Sequence, residues 1–247
     1  RAGEEGRGGA AVRPSRPVDR RAFLKAGGLV LAATALGAAK PPVKPTPVPP
    51  GEKMAEGIGP VEDLMREHGV LLRVLLIYEE SARRIETGTA LPAGVVADAA
   101  GIVRSFVEGY HEKLEEDHVF PRFAEMDALS DLVKVLAGQH AAGRRVTDGI
   151  SRLAAGGGPG TGRLLAGLLR KFIRMCRPHA ACEDTVLFPE FRRIMPPQEY
   201  RALGDRFEAM EDRLFGGGGF FKVLGRVAEI ETRLGIAELA QFTPDAV

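Results

Sequence analysis

A repeated histidine–carboxylate motif constrains this chain more than any other feature. One copy starts at His111 and the other at His179, and a glutamate follows four residues later in each, at Glu115 and Glu183. A second acid stands five residues after each histidine, and a Phe-Pro pair occupies the ninth and tenth positions. Positions i and i+4 share one face of an α-helix. Each copy therefore predicts an imidazole beside a carboxylate, on a helix that its proline helps to end.

The chain from residue 60 onward has the apolar periodicity of helices, about 3.6 residues, and no alternating stretch long enough for a strand. This periodicity predicts six helices, at residues 60–86, 94–126, 129–153, 161–194, 198–215 and 220–234. Short connections make consecutive helices antiparallel. The chain is therefore predicted to be all-α, an antiparallel up-down-up-down four-helix bundle with extra C-terminal helices that cover an end or flank.

Apolar seams mark the side of each helix that is predicted to face the core. In the first helix the seam includes Leu71, Leu72, Leu75 and Leu76, and in the fourth helix it extends to Val186. We expect these side chains to be buried, because an apolar stripe on a bundle helix packs against the other helices.

Counting residues from the turns places the histidines of neighbouring helices at one level. His68 lies almost as far before the first predicted turn as His111 lies after it. Glu115 and His140 lie equally far from the second turn, whereas His179 lies farther from the third turn than His140 does. That last difference corresponds to roughly 7 Å along a helix. Four histidines and two glutamates are therefore predicted to meet in one slice of the core.

Buried carboxylates need a compensating charge, because an unpaired charge in a protein core costs several kcal/mol. Metal ions supply that charge in helix bundles, which commonly hold paired ions between carboxylates. A donor set rich in imidazole and free of thiolate favours iron, in preference to manganese or zinc. The predicted metal ligands are His68, His111, Glu115, His140, His179 and Glu183. Asp184 is the alternative to Glu183, which regular helix geometry favours because Glu183 lies about 40° and Asp184 about 140° from His179.

Four other residues near the predicted centre have simpler interpretations. His118 is expected to pack in the core in preference to replacing a ligand, and Cys176 and Cys182 are expected to be small core residues. The two cysteines are six residues apart on one helix, too far for a disulfide, so they indicate no redox compartment. Tyr110, next to His111, either donates a hydrogen bond to a metal-bound species or packs with its hydroxyl at the rim.

Residues 1–39 have the three-part layout of a secretory signal. A basic segment contains Arg20-Arg21 followed by Phe-Leu-Lys, and an uncharged run then occupies positions 26–39. The segment resembles a twin-arginine export signal, from which it departs by having Asp19 where Ser or Thr is usual. The apolar run is too short to span a bilayer comfortably. We therefore expect an exported, periplasmic protein with no stable membrane span after signal removal.

Composition completes the predicted domain organisation. Residues 40–60 form a Pro-rich, stiff linker, residues 61–215 the bundle with a covering helix, and residues 216–247 a short C-terminal helix and tail. Glu208 and Glu211, on the covering helix, are expected to be solvated. The 34 basic and 33 acidic residues leave a formal net charge of +1, so no overall field would attract nucleic acid.

Taken together, the four helices resemble a hemerythrin-like protein of the HHE cation-binding group, over about residues 61–215. The motifs that carry this resemblance are His68; His111 with Glu115 and Phe120-Pro121; His140; and His179 with Glu183 and Phe188-Pro189. The resemblance implies a non-haem di-iron centre in which the histidines are terminal ligands and the glutamates are bridges or chelates. It also implies an open coordination position for dioxygen, nitric oxide or peroxide.

Two departures from the oxygen-carrying hemerythrins bear on function. Those carriers have a second histidine four residues after the one on the third helix, where this chain has Arg144, and take their last carboxylate from the position of Asp184. The missing histidine favours reactivity or metal exchange over stable oxygen carriage. Three functions stay open: a protein that binds or senses a small ligand; a di-iron oxidase, peroxidase or nitric-oxide reductase; and an iron store or buffer. The sequence does not decide whether the protein is an enzyme and identifies no redox partner.

Overall fold

Six helices form the structure, a computed structural model that describes residues 58–125, 129–156 and 160–244. The helices are α1 (Pro60–Thr87), α2 (Val95–Glu125), α3 (Ser130–Ala155), α4 (Thr161–Ile194), α5 (Pro197–Phe215) and α6 (Gly219–Leu234), followed by a 3₁₀ turn at Leu239–Phe242. The described residues contain no strand, and the all-α prediction is confirmed. No helix in these three ranges has the length and apolarity needed to cross a membrane. The predicted signal and nearly all of the predicted linker lie outside the described residues.

Local sequence explains where α1 begins and ends. Pro60 occupies the first helical position, where its missing N–H costs no hydrogen bond. Gly88 follows the last residue with φ +70°, a left-handed conformation that glycine adopts without a Cβ clash. The N–H of Thr89 then donates to the carbonyl of Arg84 at 2.9 Å, which satisfies one of the free carbonyls at the helix end.

The first four helices form the antiparallel bundle. Each packs on its neighbour in sequence, and α4 also packs along α1, which closes the ring. The contacts between α1 and α4 run in opposite directions, since Glu86 pairs with Arg170 at one end and His68 lies against Glu183 nearer the other. The interior of this ring is where the predicted metal ligands lie.

α5 and α6 cover the outer side of the bundle. α6 packs on α1 and α2, and α5 packs on α1 and α6. Glu211 is only 8% exposed, and its carboxylate accepts a hydrogen bond from the N–H of Phe220 at the start of α6, at 2.9 Å. The prediction that Glu211 is solvated is therefore wrong, whereas Glu208 is exposed as expected.

The buried face of α1 differs from the predicted seam. Leu72 and Leu76 are 47% and 37% exposed, whereas Val70 and Ile77 are fully buried. The C-terminal helices explain the difference, because α6 packs against α1 and buries a second flank that a four-helix bundle alone would leave open. On α4, the predicted seam residue Val186 is 43% exposed, and its neighbour Leu187 is buried instead.

Wide π-helical turns occur in both copies of the motif. They span Glu115–Val119 in α2 and Glu183–Leu187 in α4, and each begins at the motif glutamate. A proline inside a helix has no N–H and its ring clashes with the carbonyl four residues before it. Here the last N–H before Pro121 and before Pro189 donates to a carbonyl five residues back. The helices continue beyond both prolines, so the expectation that these prolines help to end them is wrong.

Candidate metal centre

The structure brings all six predicted ligands together in the bundle interior. His68 comes from α1 and His140 from α3, while α2 and α4 each supply one histidine and one glutamate. All six side chains belong to buried residues, and both glutamates are completely inaccessible to solvent. These groups lie at one level because of the register between the four helices, and local sequence alone does not place them there.

The four histidines form two pairs. The ring centroids of His68 and His111 lie 4.7 Å apart, and those of His140 and His179 lie 5.0 Å apart. Each pair joins two consecutive antiparallel helices, α1 with α2 and α3 with α4. The centre therefore has two sets of imidazole donors, one in each half of the bundle.

Two carboxylates span the space between the pairs. Glu115 has Oε1 at 3.7 Å from Nε2 of His111 and Oε2 at 3.3 Å from Nε2 of His140. Glu183 has Oε1 at 3.1 Å from Nε2 of His179 and Oε2 at 3.3 Å from Nε2 of His68. Each glutamate thus offers one oxygen to each histidine pair, the arrangement that a carboxylate bridging two ions requires.

The outer nitrogen of each of the four clustered histidines has an oxygen acceptor. The Nδ1 contacts are His68 with Asp184 at 2.7 Å, His111 with Glu67 at 2.7 Å, His140 with Glu116 at 3.2 Å and His179 with Gln139 at 2.8 Å. An acceptor at Nδ1 holds a ring proton on that nitrogen, which makes Nε2 the nitrogen that can bind a metal once it carries no proton. The Nε2 atoms of His140 and His179 are 3.2 Å apart, so two lone pairs face each other unless a cation or proton lies between them.

These supporting groups repeat with the motif. The second acid of each copy, Glu116 or Asp184, accepts from the histidine of the neighbouring helix, which places Asp184 outside the cluster and Glu183 inside it. The residue immediately before His68 or His140 accepts from the motif histidine of the next helix. We did not predict the roles of these residues, Glu67 and Gln139. Both residues stand directly before a histidine in the sequence, and this shared position was the signal that could have identified their roles.

The phenylalanines of the two Phe-Pro pairs cover one side of the centre. Phe120 stacks on the ring of His140 with a centroid distance of 5.4 Å, and Phe188 stacks on His68 at 5.5 Å. Each phenylalanine covers the same histidine that the second acid of its motif holds. The motif therefore supplies a ligand, a carboxylate, a hydrogen-bond acceptor and an apolar cover within ten residues.

The electrostatics of the centre favour bound positive charge. None of the four carboxylate oxygens of Glu115 and Glu183 has a hydrogen-bond partner of ordinary geometry in the described structure. Burial opposes protonation of His68, but the hydrogen bond to Asp184 and the nearby carboxylate of Glu183 outweigh it and raise its pKa to about 10. Burial opposes protonation of His140 too, and Glu115 nevertheless raises its pKa to about 9. A buried pair of carboxylates is costly without compensation, so the cluster fits a metal site.

Arg144 is an ion-pair partner and does not simply mark a missing ligand. Its guanidinium lies 2.7 Å from Oε2 of Glu112 and 2.6 Å from Oε1 of Glu116, the oxygen that faces His140. Burial raises the pKa of Glu112 to about 7, although the charges of His140 and Arg144 oppose that rise. Arg144, which stands where the oxygen carriers have a histidine, therefore contacts the same carboxylate oxygen of Glu116 that accepts from His140.

A small cavity of ≈ 20 Å³ adjoins the centre. Its lining consists of the four histidines, Glu112, Gln139, Leu71, Val107, Met175 and Cys176. One water molecule needs roughly 10–15 Å³ on this measure. The cavity therefore has room for a group of about the size of one water molecule.

The other residues considered from the sequence lie around the centre. Tyr110 is completely buried and donates to the carbonyl of Phe207 at 3.3 Å, so the prediction of a hydroxyl at the rim is wrong. His118 is half-buried, with its ring 5.7 Å from that of Phe207, outside the cluster. Cys176 is buried at the cavity wall and Cys182 is half-buried, and both are free thiols.

Comparison with known proteins agrees with this geometry. The sequence profile of the Hemerythrin HHE cation binding domain matches residues 59–191, a range that contains all six clustered groups. Uncharacterized proteins of Mycobacterium bovis and of two Mycobacterium tuberculosis strains are 41% identical over 238 residues, 94% of this chain and 93% of each relative. No solved structure matches the chain. The chain belongs to the hemerythrin HHE cation-binding family.

Proposed function

We propose that this protein is an exported hemerythrin-like protein that holds two non-haem iron ions and binds or senses dioxygen, nitric oxide or peroxide. The observation that carries the proposal is the pair of glutamates, each of which offers one oxygen to each histidine pair. A single ion would leave some of these histidine nitrogens and glutamate oxygens without a partner. Two ions use every inward-facing donor.

The ligands divide between two positions. His68 and His111 would hold one ion, at the first cation position, and His140 and His179 would hold the other, at the second, while Glu115 and Glu183 would contribute to both. Nitrogen and oxygen donors without thiolate suit iron among the metals that bind imidazole. Bound iron would supply electrons and an open coordination position for a small ligand.

The residues around the cavity would select that ligand. Leu71, Val107 and Met175 form an apolar wall that displaces water and limits size. The outer acceptors hold each imidazole with Nε2 inward, so the donors are oriented before a cation arrives. The outer acceptors and the small cavity thus support a centre whose donors are already oriented and which takes a small ligand.

Metal analysis with ligand titration tests this function. Protein purified anaerobically should contain two iron ions per chain, and its absorption spectrum should change on adding dioxygen, nitric oxide or peroxide. Reversal of the dioxygen spectrum under repeated deoxygenation would support binding or sensing. One zinc ion per chain, or protein that loads no metal, would contradict the di-iron assignment.

A second candidate, a di-iron oxidoreductase, draws support from Glu112. This residue places a carboxyl group at the cavity wall, where it can exchange a proton with a bound ligand. Catalytic consumption of peroxide or nitric oxide, lost in the Glu112→Gln variant with iron content unchanged, is the result expected of an enzyme. Binding without turnover would favour the first candidate.

We also infer export from the twin arginines of the leader. The match to the mycobacterial relatives covers 94% of the chain and so includes much of this segment. Replacing Arg20 and Arg21 with lysine should leave the precursor inside the cell, because a twin-arginine signal depends on the arginine pair. Immunoblots of cell fractions measure this, with Arg13→Lys/Arg16→Lys as the matched control. Equal export of both variants would refute the proposal.

A further inference from the structure

The centre comes nearest to solvent between α3 and α4. Eight of the ten residues that line the cavity are buried, and the two exceptions are Gln139 on α3 and Met175 on α4, which are half-buried. His179 is 9% exposed, more than any of the other three clustered histidines. Its Nδ1 donates to the side-chain oxygen of Gln139 at 2.8 Å. A single hydrogen bond therefore connects a predicted metal ligand to a residue that contacts solvent.

The outer face of α4 carries positive charge that acids do not balance. Residues 161–182 contain five Lys or Arg residues and no acid. Arg170 and Arg177, on the side toward α1, form ion pairs with glutamates of that helix. The other three are exposed and have no ion-pair partner among the residues that the structure describes: Arg163, Lys171 and Arg174.

Arg145 extends this positive charge onto α3. It is exposed and, within the three described ranges, it has no ion-pair partner either. Side chains at positions 175 and 168 of α4 lie against Gly143 and Gly149 of α3, respectively. This register places Arg145 level with Lys171 and Arg174. The outward side of the two helices therefore forms one surface, the basic face, which consists of Arg145, Arg163, Lys171 and Arg174.

The other exposed side chains of these two helices indicate what the basic face can bind. Val135 on α3 is 56% exposed and Leu164 on α4 is 64% exposed, so apolar side chains accompany the charges. α3 contains no Phe, Tyr or Trp, and Phe172, the one such residue in positions 161–182, is buried. Helices that bind membrane surfaces and sites that bind single-stranded nucleic acid commonly use exposed aromatic rings. The basic face therefore fits an acidic protein better than a membrane or a nucleic acid.

We propose that the basic face docks an acidic protein that carries single electrons, and that this carrier reduces the centre. The inference rests on the proposed di-iron centre and deepens it by naming the chemical class of its redox partner. Two ferric ions become ferrous by taking up two electrons, and the carrier is oxidised in two one-electron steps. Docking at the basic face brings the carrier to the side on which the centre is nearest to solvent. Opposite charges also speed the encounter of two proteins, by roughly 10–10³-fold.

Calorimetric titration with an acidic [2Fe–2S] ferredoxin at low ionic strength tests the docking, and it does not require bound iron. We expect binding that weakens as salt is added, because exposed charges are screened beyond roughly 10 Å at 0.1 M salt. The charge-reversal variant Arg145→Glu/Lys171→Glu/Arg174→Glu should bind at least roughly tenfold more weakly, since like charges across an interface repel. Cytochrome c, a basic carrier, should not bind the unaltered protein.

α5 provides a matched control. Its exposed arginines alternate with exposed acids, Glu199, Asp205, Glu208 and Asp212. The variant Arg201→Glu/Arg206→Glu/Arg213→Glu changes the net charge by the same amount as the variant of the basic face, and it should keep most of the affinity for ferredoxin. Circular dichroism verifies that both variants retain their helices.

Electron transfer is measured separately, on the oxidised, iron-loaded protein. Stopped-flow absorption should show that reduced ferredoxin reduces the centre, at least roughly tenfold more slowly in the variant of the basic face than in the α5 variant at low salt. Dithionite, a small reductant that needs no docking surface, should reduce the iron in the unaltered protein and in both variants at equal rates.

The outcomes separate this inference from the function on which it rests. Salt-dependent binding and reduction that the variant of the basic face loses and the α5 variant keeps support the inference. Equal losses in the two variants, no binding of ferredoxin, or binding to phosphatidylglycerol vesicles in preference to ferredoxin would overturn it and leave the di-iron centre intact. Iron that dithionite does not reduce, or fewer than two ions per chain, would contradict the centre itself.

Discussion

Replacing Glu183 with glutamine should abolish the binding of both metal ions, whereas replacing its neighbour Asp184 with asparagine should leave two ions bound. Glu183 offers an oxygen to His179 and to His68, which belong to different cation positions. Asp184 contacts only the outer nitrogen of His68. Loss of the shared carboxylate should therefore cost more than the roughly 10–100-fold that loss of an outer partner costs.

Metal content after dialysis, measured for the two variants side by side, checks this prediction. The adjacent positions and the identical chemical change, acid to amide, make each variant the control of the other. The Glu115→Gln variant should repeat the result for Glu183, since its oxygens also face both histidine pairs. Normal loading in Glu183→Gln together with metal loss in Asp184→Asn would reverse our assignment of the fourth-helix carboxylate.

Metal binding should release about two protons per chain at pH 7, and the affinity should rise with pH. Before a cation binds, burial opposes protonation of both rings, but the neighbouring acids outweigh it and raise the pKa of His68 to about 10 and that of His140 to about 9. Both pKa values lie above pH 7, so both rings hold a proton that a metal on Nε2 must displace. Burial lowers the pKa of His111 to about 4, so this ring is already neutral and releases none.

Higher pH should favour metal binding because the competing protons leave the two rings. As pH rises toward 9, each histidine contributes up to about a tenfold gain in affinity per pH unit below its pKa. Calorimetric titration with Co²⁺ in buffers of different ionisation enthalpy gives the number of protons released. An affinity that does not change between pH 6 and 8, with no proton release, would show that the two rings are not protonated as we infer.

The repeated motif is what made the centre predictable from the sequence. His-x-x-x-Glu on two helices, with counts from the turns, selected the six groups that the structure brings together, because helix rise and short connections determine which residues share a level. The Glu183 carboxylate lies inside the cluster and Asp184 outside it, as regular helix geometry favoured. Periodicity also located the six helices, with ends within two residues of those observed.

Periodicity and counts from the turns could not predict side-chain contacts between different helices. Glu67 and Gln139 look like ordinary polar residues until α2 and α4 pack beside them, and Arg144 looked like a lost ligand until Glu112 and Glu116 were found next to it. Leu72 was misplaced for the same reason, because the position of α6 decides which flank of α1 is covered. Periodicity describes one helix, whereas these properties belong to pairs of helices.

The phenylalanines of the two motifs limit the side from which a small molecule can reach the centre. Phe120 and Phe188 cover the histidine rings on the side toward the start of α1, and Phe123 and Phe191 pack beyond them with centroids 6.3 Å apart. The cavity lies on the opposite side, toward Leu71. A small ligand that reaches the centre is therefore expected to enter and to leave on the cavity side, because aromatic rings cover the other side.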